Sequence, residues 1–405
     1  MEPLSKLKPE FFREFKDEKA GLTAFLVIDK HISGFATGGI RMTENLTMEE
    51  IANLAHEMML KFAFLNIKKD GAKAGIVAPP ALTKQKKAEL CEAFGRLIKD
   101  LVLNKTYSPG EDLGINSEDF SFVLKGAGIS HSKSSQAIKS EYFTALTVFL
   151  SARELFKHNG RSLKGVSVVI EGFGKVGEQA AILFSEAGAK IIGISTIYGA
   201  LFDGDGLDID KVCQLKKMHG DMLIDFYRKD KRIDRGSLFL QKTDILIPGA
   251  RPDSINMENI GQIQADVVVP IANIAATEAV EHKLFEKGMT YIPGFVSNCG
   301  GILSFFLDEN GLNADEVETI IRAGFPQKLT RLFKKADVDK KAISVVMREE
   351  AFGNIKQIER DNKASKIKKI CMGRLVLFIY RKFTRIRMGW ICKPFARRYI
   401  SRRLF

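Results

Sequence analysis

The sequence predicts an α/β chain of two domains, the second built on a doubly wound, mainly parallel sheet. Three observations carry that expectation. Val166-Ser167-Val168-Val169-Ile170 is a near-continuous apolar run, as in a strand buried on both faces. A glycine-rich turn and a helical stretch follow it, then a second strand from Lys190 to Ser195. Further on, Asp244–Pro248, Asp266–Pro270 and Thr290–Pro293 are short apolar runs closing on proline, and strands alternating with helices mark a parallel sheet with helical crossovers.

The remaining elements follow in chain order. Ala24–Ile28 is a short apolar strand. Thr47 with Glu50 three residues later has the form of a capping box. It opens a helix to about Asn66, whose Ile51, Leu54, Ala55, Met58 and Phe62 recur at helical spacing. Glycine and proline cluster at 71–80 and 107–116, which marks loops. Helical sequence resumes from Lys84 to Leu103, and a long helix over 140–157 ends at Asn159-Gly160. From 301 to 360 the chain is helical again. The expected division is a first domain at 1–135, a second at 136–325 with a cleft between them, returning C-terminal helices at 326–360, and a basic amphipathic helical tail at 361–405.

Composition sets bounds on function. Hydrophobic residues are 45% and charged residues 27% of 405, a globular balance. The net charge of +13 is carried by the tail: residues 361–405 hold 14 Lys/Arg and one acid, Asp361, so the first 360 residues are neutral. This excludes a basic body that grips nucleic acid along its length. No apolar h-region follows Met1, and no uncharged apolar run approaches the roughly 20 residues that span a bilayer. The five cysteines form no CxxC and the six histidines no HExxH, so the expectation is a cytoplasmic protein with reduced thiols and no metal site.

Gly172-Phe173-Gly174-Lys175-Val176-Gly177 is G-x-G-x-x-G, placed after a strand and before a helix, the context a dinucleotide fingerprint requires. Gly172 permits the tight turn, Gly174 admits a pyrophosphate, and Gly177 lets helix and strand pack closely. The second strand ends on Ser195-Thr196 where an NAD site carries an acid for the ribose hydroxyls. NAD or NADP is therefore expected, with a lean to NADP or dual use.

In the first domain Gly38-Gly39-Ile40-Arg41-Met42 precedes Met58-Met59-Leu60-Lys61, then Asp70-Gly71-Ala72-Lys73-Ala74-Gly75, then Tyr107-Ser108-Pro109-Gly110-Glu111-Asp112-Leu113-Gly114. A lysine among Gly and Ala, buried near a second lysine, loses proton affinity through desolvation and like-charge repulsion and becomes a base. An Asp in a Pro/Gly loop can meet it as a proton carrier.

In order and spacing these motifs resemble the glutamate/leucine/phenylalanine/valine dehydrogenase family over about residues 20–355. Thr144 on the long helix, Asp244–Ala250, the Asn273 loop and Asn298-Cys299-Gly300-Gly301 extend the match. The resemblance implies an enzyme that interconverts an L-amino acid and its 2-oxo acid with ammonia, on a nicotinamide cofactor. It implies that Lys61, with Met58 and a Gly38-Gly39 turn, holds the substrate, that Lys73 activates water, and that Asp112 shuttles a proton. Thr144 and Asn273 would lie near substrate and nicotinamide, with Thr196, Ala250 and Asn298 on the cofactor. It further implies a homo-oligomer.

The chain departs from the family pattern at Asp70, which puts a carboxylate near Lys73, at Phe62, and at Pro270-Ile271. Where glutamate-specific members grip the γ-carboxylate, this sequence has Thr37 and Phe305, and Phe305 with Ile302 would line an apolar pocket. An apolar amino acid is the expected substrate. Two readings stand beside it: glutamate, and a catalytically weakened dehydrogenase-like binding or regulatory protein held by its tail. In the tail, Ile367, Ile370, Cys371, Leu375, Phe378 and Ile379 share a helical face among Lys and Arg. Such sequence suits peripheral contact with an anionic membrane; nucleic acid, and a helix packed on the body or on a neighbouring subunit, are the alternatives.

Overall fold

The computed structural model describes residues 4–129, 139–365 and 404–405. They fall into two units, Met1–Ala137 with Ala351–Lys369 and Ile138–Glu350 with Ile370–Phe405.

Unit one opens with one turn, α1 (Leu4–Leu7), and the strands β1 (Phe11–Asp17), β2 (Leu22–Ile28) and β3 (Ala36–Thr43). Helix α2 (Met48–Phe64), β4 (Asp70–Val77), α3 (Lys84–Leu103), β5 (Tyr107–Glu111) and α4 (Ser117–Gly126) follow. The sheet runs β1-β2-β4-β3-β5; β2 is antiparallel to β1 and β4, and β3 is parallel to β4 and β5. Strand alternation separates its two faces. Ala72, Ala74 and Ile76 join Leu26, Ile28 and Ile40 in a core with Phe94 and Ile98 of α3. The opposite face lies under α2, so close that a Cβ on Gly71 would stand 2.2 Å from the Met59 backbone nitrogen.

Two expectations are corrected here. The glycine- and proline-rich stretches at 71–80 and 107–116 are in large part strands, β4 and β5. Glycine is in β4 because a helix rests directly on it, and Pro109 is tolerated because β5 is an edge strand. The cap of α2 is single, not a box: the Thr47 hydroxyl accepts the Glu50 N–H at 3.1 Å, while the Glu50 carboxylate turns to Arg41.

Unit two begins with α5 (Ser140–His158), β6 (Ser167–Ile170), α6 (Lys175–Glu186), β7 (Lys190–Thr196), β8 (Gly199–Phe202) and α7 (Ile209–His219). The short α8 (Leu223–Phe226), β9 (Arg232–Ile233), β10 (Thr243–Ile247), β11 (Ala265–Val268), α9 (Glu278–Glu286) and β12 (Thr290–Tyr291) come next. After α10 (Gly294–Ser297) the chain is helical through α11 (Gly300–Glu309), α12 (Ala314–Asp339) and α13 (Ile343–Ser365), whose residues from Ala351 on belong to unit one. The sheet order is β12-β11-β10-β6-β7-β8-β9. It is parallel from β12 to β7, with β8 and β9 added antiparallel at one edge. Because β7 pairs on one side of β6 and β10 on the other, the strand order reverses at β6. That reversal opens a crevice at the carboxyl ends of β6 and β10, the place where open α/β sheets take ligands. Most of the basic tail, 366–403, lies outside the described residues, and with it the apolar face read from Ile367 onward.

Candidate active site

The register of the first sheet sets Ile40 beside both Ala74 and Glu111. The odd-numbered side chains of β3 and β4 thus share the face under α2, and Asp112 follows directly on β5. Lys73 Nζ lies 2.9 Å from Asp112 Oδ2. Arg41 Nε donates to the same oxygen at 3.1 Å, and its Nη1 donates to Glu50 Oε1 at 2.8 Å. Lys73 is 4% exposed, Lys61 5% and Arg41 6%; these are core positions, not solvated surface cations.

Burial pushes the Lys73 pKa below the usual lysine value, with Arg41 adding to the effect and Asp112 and Glu50 opposing it. Burial also disfavours the Asp112 carboxylate, but Lys73 and Arg41 outweigh it and hold its pKa at about 2. The cluster therefore pairs an ionised acid with a lysine made readier to give up its proton, a combination suited to acid–base work.

Arg41 and Glu50 were not singled out from sequence. The available signal was a charge in a strand between apolar neighbours, Ile40 and Met42.

Asp70 does not stand beside Lys73. Its carboxylate accepts the N–H groups of Ile32, Ser33 and Gly34 at 3.0, 2.7 and 2.9 Å. Three positions along a strand place two side chains on opposite faces, so Asp70 braces a turn. Gly38 and Gly39 are likewise not a turn. They lie inside β3, where a Cβ on Gly38 would stand 1.6 Å from the Ala72 carbonyl oxygen and one on Gly39 2.8 Å from Asp112 Cβ. Tyr107 donates its hydroxyl to the Gly38 carbonyl at 2.8 Å. Met58 is half-buried on α2, one turn before Lys61, and the Thr37 hydroxyl is engaged with the Ser108 carbonyl at 3.0 Å.

In unit two the fingerprint turn lies at the strand-order reversal. Gly172 has φ +86°, and a Cβ there would be 3.1 Å from the Ala250 nitrogen at the end of β10; one on Gly177 would be 2.1 Å from the Gly172 oxygen. Gly174 differs, since a Cβ there would meet nothing within 4 Å. It is the N-cap of α6, and no side chain caps that helix. Open space before uncapped amides fits a pyrophosphate. Lys175 is exposed, while Phe173 is buried and donates its N–H to the Ser195 carbonyl. The Ser195 hydroxyl accepts the Gly172 N–H at 3.0 Å, and the Thr196 hydroxyl donates to the Asp221 carbonyl at 2.8 Å.

Asn298 organises the other side of this unit's site. Its Nδ2 donates to the carbonyls of Ile271 and Ala272 at 2.9 and 3.0 Å, fixing the loop that carries Asn273. Its Oδ1 is buried with no hydrogen-bond partner among the described residues, an acceptor suited to a polar group of a bound cofactor. A Cβ on Gly301 would lie 2.7 Å from the Thr144 hydroxyl, so the long helix α5 and the first turn of α11 are in contact. Ile302 and Phe305 sit three apart on α11, Phe305 59% exposed.

A family model described as Glutamate/Leucine/Phenylalanine/Valine dehydrogenase matches residues 138–360, and one described as the Glu/Leu/Phe/Val dehydrogenase dimerisation domain matches residues 10–127. The chain belongs to that family. As a Glu/Leu/Phe/Val dehydrogenase it is an amino acid dehydrogenase, an oxidoreductase acting on CH–NH2 groups with NAD or NADP. The mitochondrial glutamate dehydrogenase of Dictyostelium discoideum is 29% identical over 345 residues, covering 75% of this chain and 68% of that protein. The NADP-specific glutamate dehydrogenase of Saccharolobus shibatae is 29% identical over 297 residues, covering 69% of this chain and 70% of that protein. Among solved structures, the hetero-hexameric glutamate dehydrogenase of Thermus thermophilus in its leucine-bound form superposes with a TM-score of 0.71 at 23% identity, covering 90% of this chain and 91% of that one.

Proposed function

We propose that the chain catalyses the reversible, NAD(P)-dependent oxidative deamination of an L-amino acid with an apolar side chain, releasing the 2-oxo acid and ammonia. The observation that carries the reading is the pairing of buried Lys73 with half-buried Asp112, 2.9 Å apart and anchored by Arg41. In this reading Lys61 holds the substrate α-carboxylate as a buried cation. Asp112 takes a proton from the substrate ammonium, which frees the nitrogen lone pair. A bound dinucleotide would supply the hydride acceptor, its pyrophosphate held at Gly174 and the α6 N-terminus, with Thr196 at the ribose and Ala250, Asn273 and Asn298 also on the cofactor. Lys73, neutral after giving up its proton, deprotonates the water that attacks Cα, and its ammonium then stabilises the oxygen that becomes the ketone. Asp112 returns its proton to the departing nitrogen.

Two further parts of the reading concern selectivity. Thr37 is occupied by the Ser108 carbonyl and offers no cation to a γ-carboxylate, and Ile302 and Phe305 are apolar; both disfavour glutamate. Ser195-Thr196 presents no acid to repel a 2′-phosphate, which supports use of NADP. The dimerisation-domain match supports assembly as a homo-oligomer.

Reductive amination assayed over a panel of 2-oxo acids with NADH and NADPH, for the wild type and Lys73→Ala, tests the whole. The expected result is turnover of branched or small apolar 2-oxo acids that Lys73→Ala abolishes. Preference for 2-oxoglutarate would refute the apolar pocket, and no turnover of any acid would refute the catalytic roles and favour the weakened, regulatory reading.

A further inference from the structure

Helix α12 carries two residues that are unusual at their positions. Gly324 lies in the interior of a 26-residue helix, where glycine is unfavourable. Lys328, one turn on, has a side chain only 2% exposed. The same occupant meets both. The Phe405 ring lies where a Gly324 side chain would be: a Cβ there would stand 2.0 Å from Phe405 Cδ2. That ring also meets Phe325 edge-on, with centroids 6.3 Å apart. Leu404 is 3% exposed, and its carbonyl accepts from Lys328 Nζ at 3.4 Å, with Glu350 Oε1 3.8 Å from the same nitrogen.

We infer that α12 carries a dedicated seat for the Leu404–Phe405 pair of its own chain, made by Gly324, Phe325 and Lys328, which fastens the far end of the basic segment to unit two. The ligand class is a peptide presenting a leucine followed by an aromatic residue: the ring enters the glycine notch, and the leucine carbonyl takes the buried ammonium. The seat itself lies within the family match, which ends at residue 360, whereas its occupant lies beyond it, and neither depends on the reaction proposed above.

A sign reversal tests it. In a helix, alanine is normally more stable than glycine, so without a seat Gly324→Ala raises the thermal midpoint whatever residues stand at 404 and 405. With the seat, Gly324→Ala lowers the midpoint of the full chain but raises that of the L404S/F405S variant. A rise of equal size in both backgrounds would overturn the proposal.

The second measurement is fluorescence anisotropy with a labelled peptide of residues 396–405. It is expected to bind L404S/F405S about tenfold or more tightly than the wild type, whose seat is filled. The same peptide with serine at both positions keeps its four arginines and is expected not to bind. Equal binding of the two peptides, or equal binding to the two proteins, would again overturn it. If L404S/F405S fails to fold, the direction of the Gly324→Ala shift in the full chain decides alone: a fall supports the seat and a rise removes it.

Discussion

Lys73 and Asp112 are 39 positions apart in sequence and 2.9 Å apart in space, Nζ to Oδ2. The pairing of β4 with β3, and of β3 with β5, makes that contact. Its consequence is that any change to the charges around the pair moves Lys73 in a direction that can be stated beforehand.

Arg41 lowers the Lys73 pKa and Glu50 raises it. Lys73 must be neutral to act as a base, so activity rises with pH through its pKa. Arg41→Met should therefore move the acidic limb of the kcat/KM profile to higher pH, and Glu50→Gln should move it to lower pH. Rate–pH profiles of the two variants check this; shifts of the same sign would exclude Lys73 as the titrating base. Lys73→Ala should lower kcat by about 10³-fold or more.

Asp112 bears on stability as well as rate. Its pKa is about 2 in the folded chain against an ordinary 3.8. A depressed carboxyl pKa stabilises above the unfolded value, and the contribution disappears as pH falls from about 4 to about 2. Its size is about 2 kcal/mol. Urea melts at pH 7 and pH 2 should show Asp112→Asn less stable than the wild type at the higher pH and nearly equal to it at the lower.

Replacing Arg41 removes a group that serves two acids at once. Arg41→Met leaves Glu50 and Asp112 facing a lost partner and should cost about 3 kcal/mol in chemical denaturation. Lysine at this position reaches only one carboxylate at a time, so Arg41→Lys should restore little.

Gly174 and Gly177 separate binding from folding. A side chain at 174 meets open space, so Gly174→Val should leave the melting temperature unchanged while raising the cofactor KM about tenfold or more. Gly177→Ala drives a methyl onto the Gly172 carbonyl and should lower stability by about 1–3 kcal/mol.

Thr196→Asp tests the reading of the ribose site. A carboxylate at the end of β7 would repel a 2′-phosphate and accept ribose hydroxyls. The ratio of kcat/KM for NADPH to that for NADH should fall by about 100-fold. A wild type already below one per cent with NADPH would remove the basis for the lean to NADP.

The parts of this molecule that were legible in sequence are local ones. The fingerprint turn needs only a strand, three glycines and a helix in succession, and α3 and α5 announce themselves by spacing. The strands β4 and β5 read as loops because glycine and proline are ordinarily turn residues. Nothing nearby in sequence reveals that α2 will rest on Gly71, or that β5 is an edge. Arg41 was passed over for a related reason. Its partners, Glu50 and Asp112, lie on different elements, and a charge in a strand has no visible purpose until both arrive. The Asp70 carboxylate reads as misplaced in sequence because adjacency along the chain is not adjacency in space.

The alternation along β4 has an evolutionary side. Odd positions carry Gly71, Lys73 and Gly75; even positions carry Ala72, Ala74 and Ile76. Selection on the site and selection on the core would therefore act on interleaved but separate sets of codons, and Asp70 braces its turn from off the face that carries Lys73. The same interleaving makes the strand intolerant of indels. Losing one residue ahead of Lys73 would exchange the two sets in a single step, sending the lysine into the hydrocarbon interior and an alanine to the face beneath α2.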